Sequence, residues 1–214
     1  MSNSTTIIGR MRAYIWLKAS VTPVFMTAFF IAYFTILRHP LSTPVTIPFT
    51  ALDHWIGFHP LALIPYITLW VYVCLPSLFM SNLRELLGHA FGNALLSAVG
   101  LLAFILWPTT TPPSNIDWSL HPSMLFLKDM DASGNACPSL HAAFAVFACF
   151  WAARVLRRLN AGCLAHVINV LWGLSIVYST VATRQHVAID ALTGSLLGWL
   201  VVRLNLRLCA EPSP

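Results

Sequence analysis

The chain is poor in charged residues. Only 9% of its 214 residues are Asp, Glu, Lys or Arg, whereas 57% are hydrophobic. Soluble domains carry about 25% charged residues, so this composition excludes an ordinary soluble domain and indicates a protein of the lipid bilayer. The formal net charge is +5 and the arginines are scattered, so there is no basic run of the kind that binds nucleic acids.

The chain also lacks cysteine pairs at metal-binding or redox spacing. Its five cysteines are dispersed, and most fall within or beside apolar runs: Cys74, Cys137, Cys149, Cys163 and Cys209. An odd, dispersed set argues against a disulfide framework and against a structural zinc site. We interpret these residues as small apolar side chains.

Long apolar runs are what the sequence has in abundance. Six runs are long enough to cross a bilayer as helices. The first is too long for the apolar core of a cleaved signal peptide, so it is predicted to be an uncleaved anchor. The sequence therefore predicts an all-α, six-transmembrane-helix bundle that forms a single domain over residues 1–214. The runs cover roughly residues 19–37, 61–80, 91–107, 139–156, 163–182 and 187–206.

The basic residues predict the orientation of these spans. Six spans place both termini on one side, which would carry nine basic residues, while the other side would carry three. By the positive-inside rule the termini are cytoplasmic, and we expect the inner (plasma) membrane of a bacterial-type cell. The nine are Arg10, Arg12, Lys18, Arg84, Arg154, Arg157, Arg158, Arg203 and Arg207, and the three are Arg38, Lys128 and Arg184.

Two of the three extracytoplasmic loops (38–60, 108–138 and 183–186) have a distinctive composition. Residues 45–60 mix Trp and Phe with Asp53 and His54, which predicts an interfacial segment at the level of the lipid headgroups. Residues 108–137 form the longest polar stretch, and loops of that length are usually functional. Trp118 in this stretch belongs either to an aromatic belt or to the lining of a lipid entrance.

Ionisable residues at membrane depth are rare and are functional candidates by default. His141 opens the fourth run, His186 lies at the junction of the fifth and sixth, and Asp190 lies one turn into the sixth. All three fall on the predicted extracytoplasmic side. His186 and Asp190 are four residues apart, so the carboxylate can hold one imidazole nitrogen and leave the other free. They form either a structural pair or a nucleophile with its orienting group.

The sequence Pro-Ser-Leu-His at residues 138–141 stands where the fourth run begins. Proline suits the first position of a helix, so Pro138 predicts a helix start with the N–H groups of Ser139, Leu140 and His141 free. Free N–H groups at a helix N-terminus form an anion site. The turn is therefore either a plain helix cap or the floor of a phosphate pocket.

Arg184 completes a set suited to phosphoryl transfer. Its guanidinium can donate two hydrogen bonds to phosphate oxygens. With it, the set contains a nucleophile, an orienting carboxylate, a second histidine and a cation. A zinc site is an alternative, because two histidines and Asp190 are zinc-ligand types. A neighbouring arginine opposes a dication, so we expect no metal and no other cofactor.

These motifs resemble those of the type-2 phosphatidic acid phosphatase superfamily, over roughly residues 60–205. Residues 138–141 are similar to the second family motif, Pro-Ser-Gly-His, with Leu140 in the glycine position. Arg184, His186 and Asp190 are similar to the third motif, with the His-to-Asp spacing kept and only Gln185 between the arginine and the histidine. This variant spacing resembles the inositol-phosphotransferase-like branch. The first motif, Lys-x6-Arg-Pro, is not present.

The resemblance implies a metal-independent enzyme that acts on a lipid phosphomonoester or pyrophosphate. His186 would attack phosphorus and form a phosphohistidine, with Asp190 holding its imidazole. His141 would protonate the leaving alcohol and then activate water. The phosphate oxygens would be bound by Arg184, Ser139 and Lys128, the only lysine in the right loop.

Two alternatives stay open. A lipid phosphotransferase would resolve the same intermediate with an alcohol and move a phosphate-bearing headgroup between lipids. A non-catalytic lipid transporter would keep only the scaffold. The expected partners are a lipid phosphate and membrane lipids, with no nucleic acid. Gly194 and Gly198 form a G-x-x-x-G pair, which predicts a close helix contact inside the bundle or in a homodimer.

Overall fold

The computed structural model describes residues 6–125 and 134–209. Within these ranges six helices are long and apolar enough to cross a membrane, so the predicted all-α bundle of six spans is confirmed. The spans are Ile15–Arg38, Pro60–Leu78, Leu83–Leu106, Leu140–Arg158, Cys163–Ala182 and Ala188–Leu208.

The third span begins eight residues earlier than predicted, at Leu83 instead of residue 91. Asn82 caps this helix, because its side-chain oxygen accepts hydrogen bonds from the N–H groups of Arg84 at 2.8 Å and Glu85 at 3.4 Å. A pattern based on apolar runs alone does not predict this start, because the first turn contains the charged residues Arg84 and Glu85. The capped turn is what places Glu85 inside the bundle.

The elements are numbered in chain order. Two-residue strands, β1 (Val45–Thr46) and β2 (Thr109–Thr110), lie in the loops, and two short 3-10 turns cover Pro60–Ala62 and Trp118–Leu120. The helices are α1 (Ile7–Arg12), α2 (Ile15–Arg38), α3 (Ala51–Ile56), α4 (Leu63–Ile67), α5 (Leu69–Leu78), α6 (Leu83–Leu106), α7 (Leu140–Arg158), α8 (Cys163–Ala182) and α9 (Ala188–Leu208).

Helix α7 lies at the centre of the bundle and packs against α5, α8 and α9. Its contact with α9 is made at backbone distance, because Gly194 and Gly198 face Ser139 and Ala143. A Cβ atom at either glycine would clash with the carbonyl oxygen opposite it. The predicted close contact of the G-x-x-x-G pair therefore lies inside the bundle, and this surface is not available to a second copy of the chain.

Polar contacts join α6, α7 and α9 at the end of the bundle away from the first residues of α7. Glu85 pairs with Arg154 at 2.8 Å and with Arg158 at 2.6 Å. Trp151 Nε1 donates to Asn205 Oδ1 at 3.0 Å, and Asn205 Nδ2 donates to a backbone carbonyl of α6 at 2.9 Å. In a medium without water these pairs satisfy groups that would otherwise be costly to bury.

The loops at the other end are tied to one another. Strands β1 and β2 pair in parallel, with Val45 opposite Thr109, and Thr110 forms an isolated bridge to Gly134. His59 N–H donates to the last carbonyl of α8 at 2.9 Å. The segment predicted to lie at the headgroups, residues 45–60, is thus packed on the bundle where α7 and α9 begin.

We expect Gly194→Ala to lower the thermal unfolding temperature of the purified protein. The added methyl group has no space against the Ser139 carbonyl, and overpacking of this kind costs about 1–3 kcal/mol. Gly162→Ala is the control, because nothing lies within 4 Å of a Cβ there. Equal unfolding temperatures for the two variants would contradict the close contact of α7 and α9.

Candidate active site

His141 and His186 line the same cavity, which has a volume of about 540 Å³. Their ring centroids are 6.3 Å apart and the ring planes differ by 50°. One histidine comes from the start of α7 and the other from the loop before α9, so the fold brings together the two predicted imidazoles. The rest of the wall is largely aromatic and includes Phe29, Phe30, Tyr33, Phe34, Tyr66, Trp70 and Phe144.

Ser139 is the N-cap of α7, and the helix begins at Leu140. The prediction that Pro138 opens the helix is wrong, because the Ser139 side chain takes the capping position one residue later. Its Oγ accepts from Ala142 N–H at 3.3 Å, and its own N–H donates to the Asp190 carbonyl at 2.9 Å. The first-turn N–H groups of Leu140 and His141 have no acceptor within the helix.

The His141 ring is held by aromatic neighbours that sequence reasoning missed. Tyr66 stacks on it with centroids 4.2 Å apart and planes 16° apart, and Trp70 meets it edge-on at 5.4 Å. The Tyr66 hydroxyl lies 3.4 Å from Nδ1. Nε2 is buried and has no hydrogen-bond partner among the described residues. Neither aromatic residue belongs to a motif, and only the packing of α4 and α5 on α7 places them here.

His186 lies two residues before α9, not on the helix as the four-residue spacing suggested. Its Nδ1 is nevertheless 3.7 Å from Asp190 Oδ2, and both side chains are at least 95% buried. Asp190 Oδ2 also accepts from the N–H of Val187 at 3.1 Å. The imidazole and the carboxylate are thus just beyond hydrogen-bond distance, a separation typical of catalytic pairs before substrate binds.

The loop that carries His186 is short and sharply turned. Helix α8 ends at Ala182, and the Thr183 hydroxyl donates to a carbonyl of the last turn at 2.7 Å. Arg184 follows in the left-handed region at φ 57°, where the chain reverses after a helix. His186 N–H donates back to Thr180 at 3.0 Å. These bonds fix the direction in which His186 leaves α8.

Asp53 ties the first loop to the start of α9. It is fully buried, and its Oδ1 accepts from Ala188 N–H at 2.8 Å. Its Oδ2 accepts from the N–H and the hydroxyl of Thr50 at 2.7 and 2.6 Å. The capping box Thr50-x-x-Asp53 is visible in the sequence, but it predicts only the local start of α3. The bond from Asp53 to Ala188, two residues after His186, is a tertiary contact.

The predicted phosphate-binding residues do not gather in the cavity as the histidines do. Arg184 is half-buried, and its guanidinium lies 4.9 Å from the ring centroid of Phe49. Neither Arg184 nor the capping Ser139 lines the histidine cavity. Lys128 falls outside the described residues. Gln185 is 3% exposed, and its amide nitrogen and oxygen have no partner in the part of the chain described.

Cys137 lies next to this site but is not suited to compete as a nucleophile. It is buried, and its Sγ lies 3.3 Å from the Thr193 hydroxyl. Burial, reinforced by the charge of Asp190, raises the pKa of the Cys137 thiol, so it stays protonated near neutral pH. Within residues 6–125 and 134–209, no three His, Cys, Asp or Glu side chains are grouped as a metal site.

Comparison with known proteins identifies a family. The model of the PAP2 superfamily matches residues 77–211, more than half of the chain. The match covers α6 to α9, with both histidines, Arg184 and Asp190, and it leaves out Asp53 and Tyr66. No curated protein and no solved structure matches the chain.

We expect Asp53→Ala to loosen the start of α9. The variant leaves the N–H of Ala188 without its acceptor, and a hydrogen bond to a buried carboxylate is worth about 1.5–3 kcal/mol. Amide hydrogen exchange at residues 187–190 should become about ten-fold faster or more. Asp117→Ala is the control, since Asp117 is exposed and caps only the turn Trp118–Leu120. Unchanged exchange in Asp53→Ala would show that Asp53 does not hold α9.

Proposed function

The chain belongs to the PAP2 superfamily, and from this premise we propose that it is an integral membrane lipid phosphatase acting on a phosphomonoester or pyrophosphate. One observation carries the proposal: His141 and His186 line one cavity with their ring centroids 6.3 Å apart. The mostly apolar, aromatic wall of that cavity suits the hydrocarbon part of a lipid, and its two imidazoles suit the phosphate.

The spacing of the histidines fits one phosphoryl group between them. A nucleophile approaches phosphorus to about 3–3.5 Å before attack, and a general acid lies about 2.6–3.2 Å from the oxygen that it protonates. Ring centroids 6.3 Å apart therefore allow both imidazoles to contact a single phosphoryl group. Side chains much farther apart would need two separate sites.

In the first step, His186 Nε2 attacks phosphorus. The P–N bond forms as the bond from phosphorus to the lipid oxygen breaks, and His141 gives its proton to that oxygen. The products are a lipid alcohol, or a lipid monophosphate from a pyrophosphate, and a phosphohistidine. Asp190 supports this step by accepting a hydrogen bond from the Nδ1–H group of His186, which keeps the lone pair on Nε2.

In the second step, His141 takes a proton from water as the water oxygen attacks phosphorus. The P–N bond breaks, inorganic phosphate leaves, and His186 regains its lone pair. Each histidine thus ends the cycle in its starting state. Apart from the lipid phosphate, the reaction consumes only one water molecule.

We assign the binding of the phosphate oxygens to the start of α7 and to the predicted cations. The N–H groups of Leu140 and His141 lie at the positive end of the helix dipole. Ser139 Oγ accepts one bond as a cap, and its hydroxyl proton is the further donor. Arg184 and Lys128 supply positive charge, and Arg184 is favoured by its place two residues before His186.

We place the site at the extracytoplasmic face of the inner membrane, with the termini in the cytoplasm. The histidines, β1, β2 and the loop 183–187 lie at one end of the bundle. The basic cluster of Arg154 and Arg158 lies at the other end, as the positive-inside rule requires of a cytoplasmic face.

We expect His186→Ala to abolish phosphate release from lipid phosphates by the purified protein, with folding and membrane insertion intact. Without the imidazole no phosphohistidine forms, and loss of a nucleophile costs several orders of magnitude in turnover. Vanadate, which mimics the five-coordinate transition state, should inhibit the wild type. His166→Ala, at the far end of α8, is the matched control and should keep full activity.

The same assay separates the alternatives. Normal turnover by His186→Ala would refute the mechanism, and lipid movement that is indifferent to vanadate would indicate a transporter. Adding a diacylglycerol acceptor to wild-type protein tests transfer. We expect inorganic phosphate to be released with or without the acceptor, whereas a phosphate-bearing headgroup found on the acceptor would identify a phosphotransferase.

We expect Tyr66→Phe to lower turnover about 2–10-fold with little change in KM. The variant keeps the ring that stacks on His141 and removes only the hydroxyl 3.4 Å from Nδ1, a hydrogen bond worth about 0.5–1.5 kcal/mol. Tyr66 acts by holding the His141 ring in place and does not itself contact the reacting atoms. Tyr178→Phe, on an exposed tyrosine of α8, is the control. A change in KM alone would argue against orientation of His141.

A further inference from the structure

A second cavity, of about 110 Å³, lies between α2, α5 and α6. Its wall contains five polar side chains, Lys18, Thr22, Ser77, His89 and Asn93. On α2 it is lined by residues 17–26, whereas the histidine cavity is lined by residues 29–34. The two cavities are therefore stacked along α2, and the polar one lies nearer the chain termini.

Two of these side chains, His89 and Asn93, belong to a line of buried polar residues along α6. Glu85, His89, Asn93 and Ser97 follow one another at intervals of four, so they share one face of the helix. Each is only 5–6% exposed. Polar side chains inside a membrane are costly and mark functional positions. The phosphatase mechanism uses none of these four.

Two of the donors that face this cavity, on Lys18 and Ser77, are already engaged. Lys18 Nζ donates to three backbone carbonyls, those of Arg10 at 3.0 Å, Leu78 at 3.0 Å and Met80 at 2.7 Å. An ammonium has three N–H bonds, so none remains for a ligand. The Ser77 hydroxyl donates to the Cys74 carbonyl at 2.8 Å.

The acceptors, by contrast, are not all engaged. Asn93 Nδ2 donates to the His89 carbonyl at 3.0 Å, but Asn93 Oδ1 is buried without a partner in the described ranges. Ser77 Oγ keeps its lone pairs. A ligand must therefore donate hydrogen bonds. An unprotonated anion has no hydrogen to donate to Asn93 Oδ1, and a cation would be repelled by Lys18. A hydroxyl group can donate to Asn93 Oδ1 and can also accept from the Thr22 hydroxyl or the ring N–H of His89.

We propose that this cavity is a binding site for hydroxyl groups, supplied by water or by a lipid alcohol of the surrounding membrane. Its volume suffices for about three water molecules, each of which occupies about 30 Å³. Its rim includes Val21 and Leu87, which are 42% and 55% exposed on the outer surface of the bundle, so a lipid hydroxyl has a route of entry. The proposal does not rest on the phosphatase function.

The first arm of the test looks for water. The full-length protein is placed in bilayers of lipids with deuterated chains, and magnetisation is transferred from water protons to side chains by solid-state NMR. We expect transfer to His89 and Asn93 to build up several-fold faster than transfer to Ala94 and Ala98, which are exposed on the outer face of α6.

The second arm looks for a lipid hydroxyl. The thermal unfolding temperature is measured in bilayers that contain a diacylglycerol, or the same lipid with its hydroxyl group methylated. A rise with the free alcohol alone identifies the lipid as the source. The rise should disappear in Asn93→Leu and persist in Ala94→Leu, which changes an exposed position one residue away.

The outcomes are decisive. Fast water transfer supports the site with water as its ligand, and an alcohol-specific rise that depends on Asn93 supports it with a lipid. A rise that persists in Asn93→Leu places the lipid elsewhere and counts against it as the source. Absence of both signals in the wild type overturns the proposal. If Asn93→Leu does not fold, Ser77→Ala provides the same comparison.

Discussion

The direct backbone contact between α7 and α9 is the constraint on which the candidate site depends. Gly194 and Gly198 remove the side chains that would separate the two helices. The N–H of Ser139 then reaches the carbonyl of Asp190 at 2.9 Å, which fixes the register of one helix start against the other. This register brings the two histidines together, because His141 follows Ser139 by two residues and His186 precedes Asp190 by four.

Around this contact, buried polar groups lie at both ends of the bundle, and a line of them along α6 extends from one end towards the middle. At one end Asp53, His141, His186 and Asp190 surround the larger cavity or the turn beside it. At the other end Glu85 pairs with Arg154 and Arg158 between α6 and α7, and Asn205 of α9 bonds to both of those helices. An unpaired polar group costs several kcal/mol in hydrocarbon. The buried atoms of His141, Gln185 and Asn93 that have no partner among the described residues therefore stand out as positions where a ligand belongs.

The sequence was sufficient for the spans and for part of the site. Apolar runs reveal bilayer-crossing helices because the hydrocarbon thickness requires about 20 such residues. His141, His186 and Asp190 were predictable because ionisable residues at span boundaries are rare. Tyr66 and Asp53 were not, since stacking and a bond across 135 residues depend on packing that no local spacing encodes. Local capping likewise decided against Pro138 as the helix start.

The candidate site draws on Asp53 before the second span, His141 in the fourth and His186 before the sixth. A nascent chain leaves the ribosome in that order, so the translocon releases five spans before the last histidine and its carboxylate arrive. Until then α7 lacks the partner for its backbone contact, and only one of the two imidazoles is present. The candidate site is therefore assembled only after the sixth span has been synthesised.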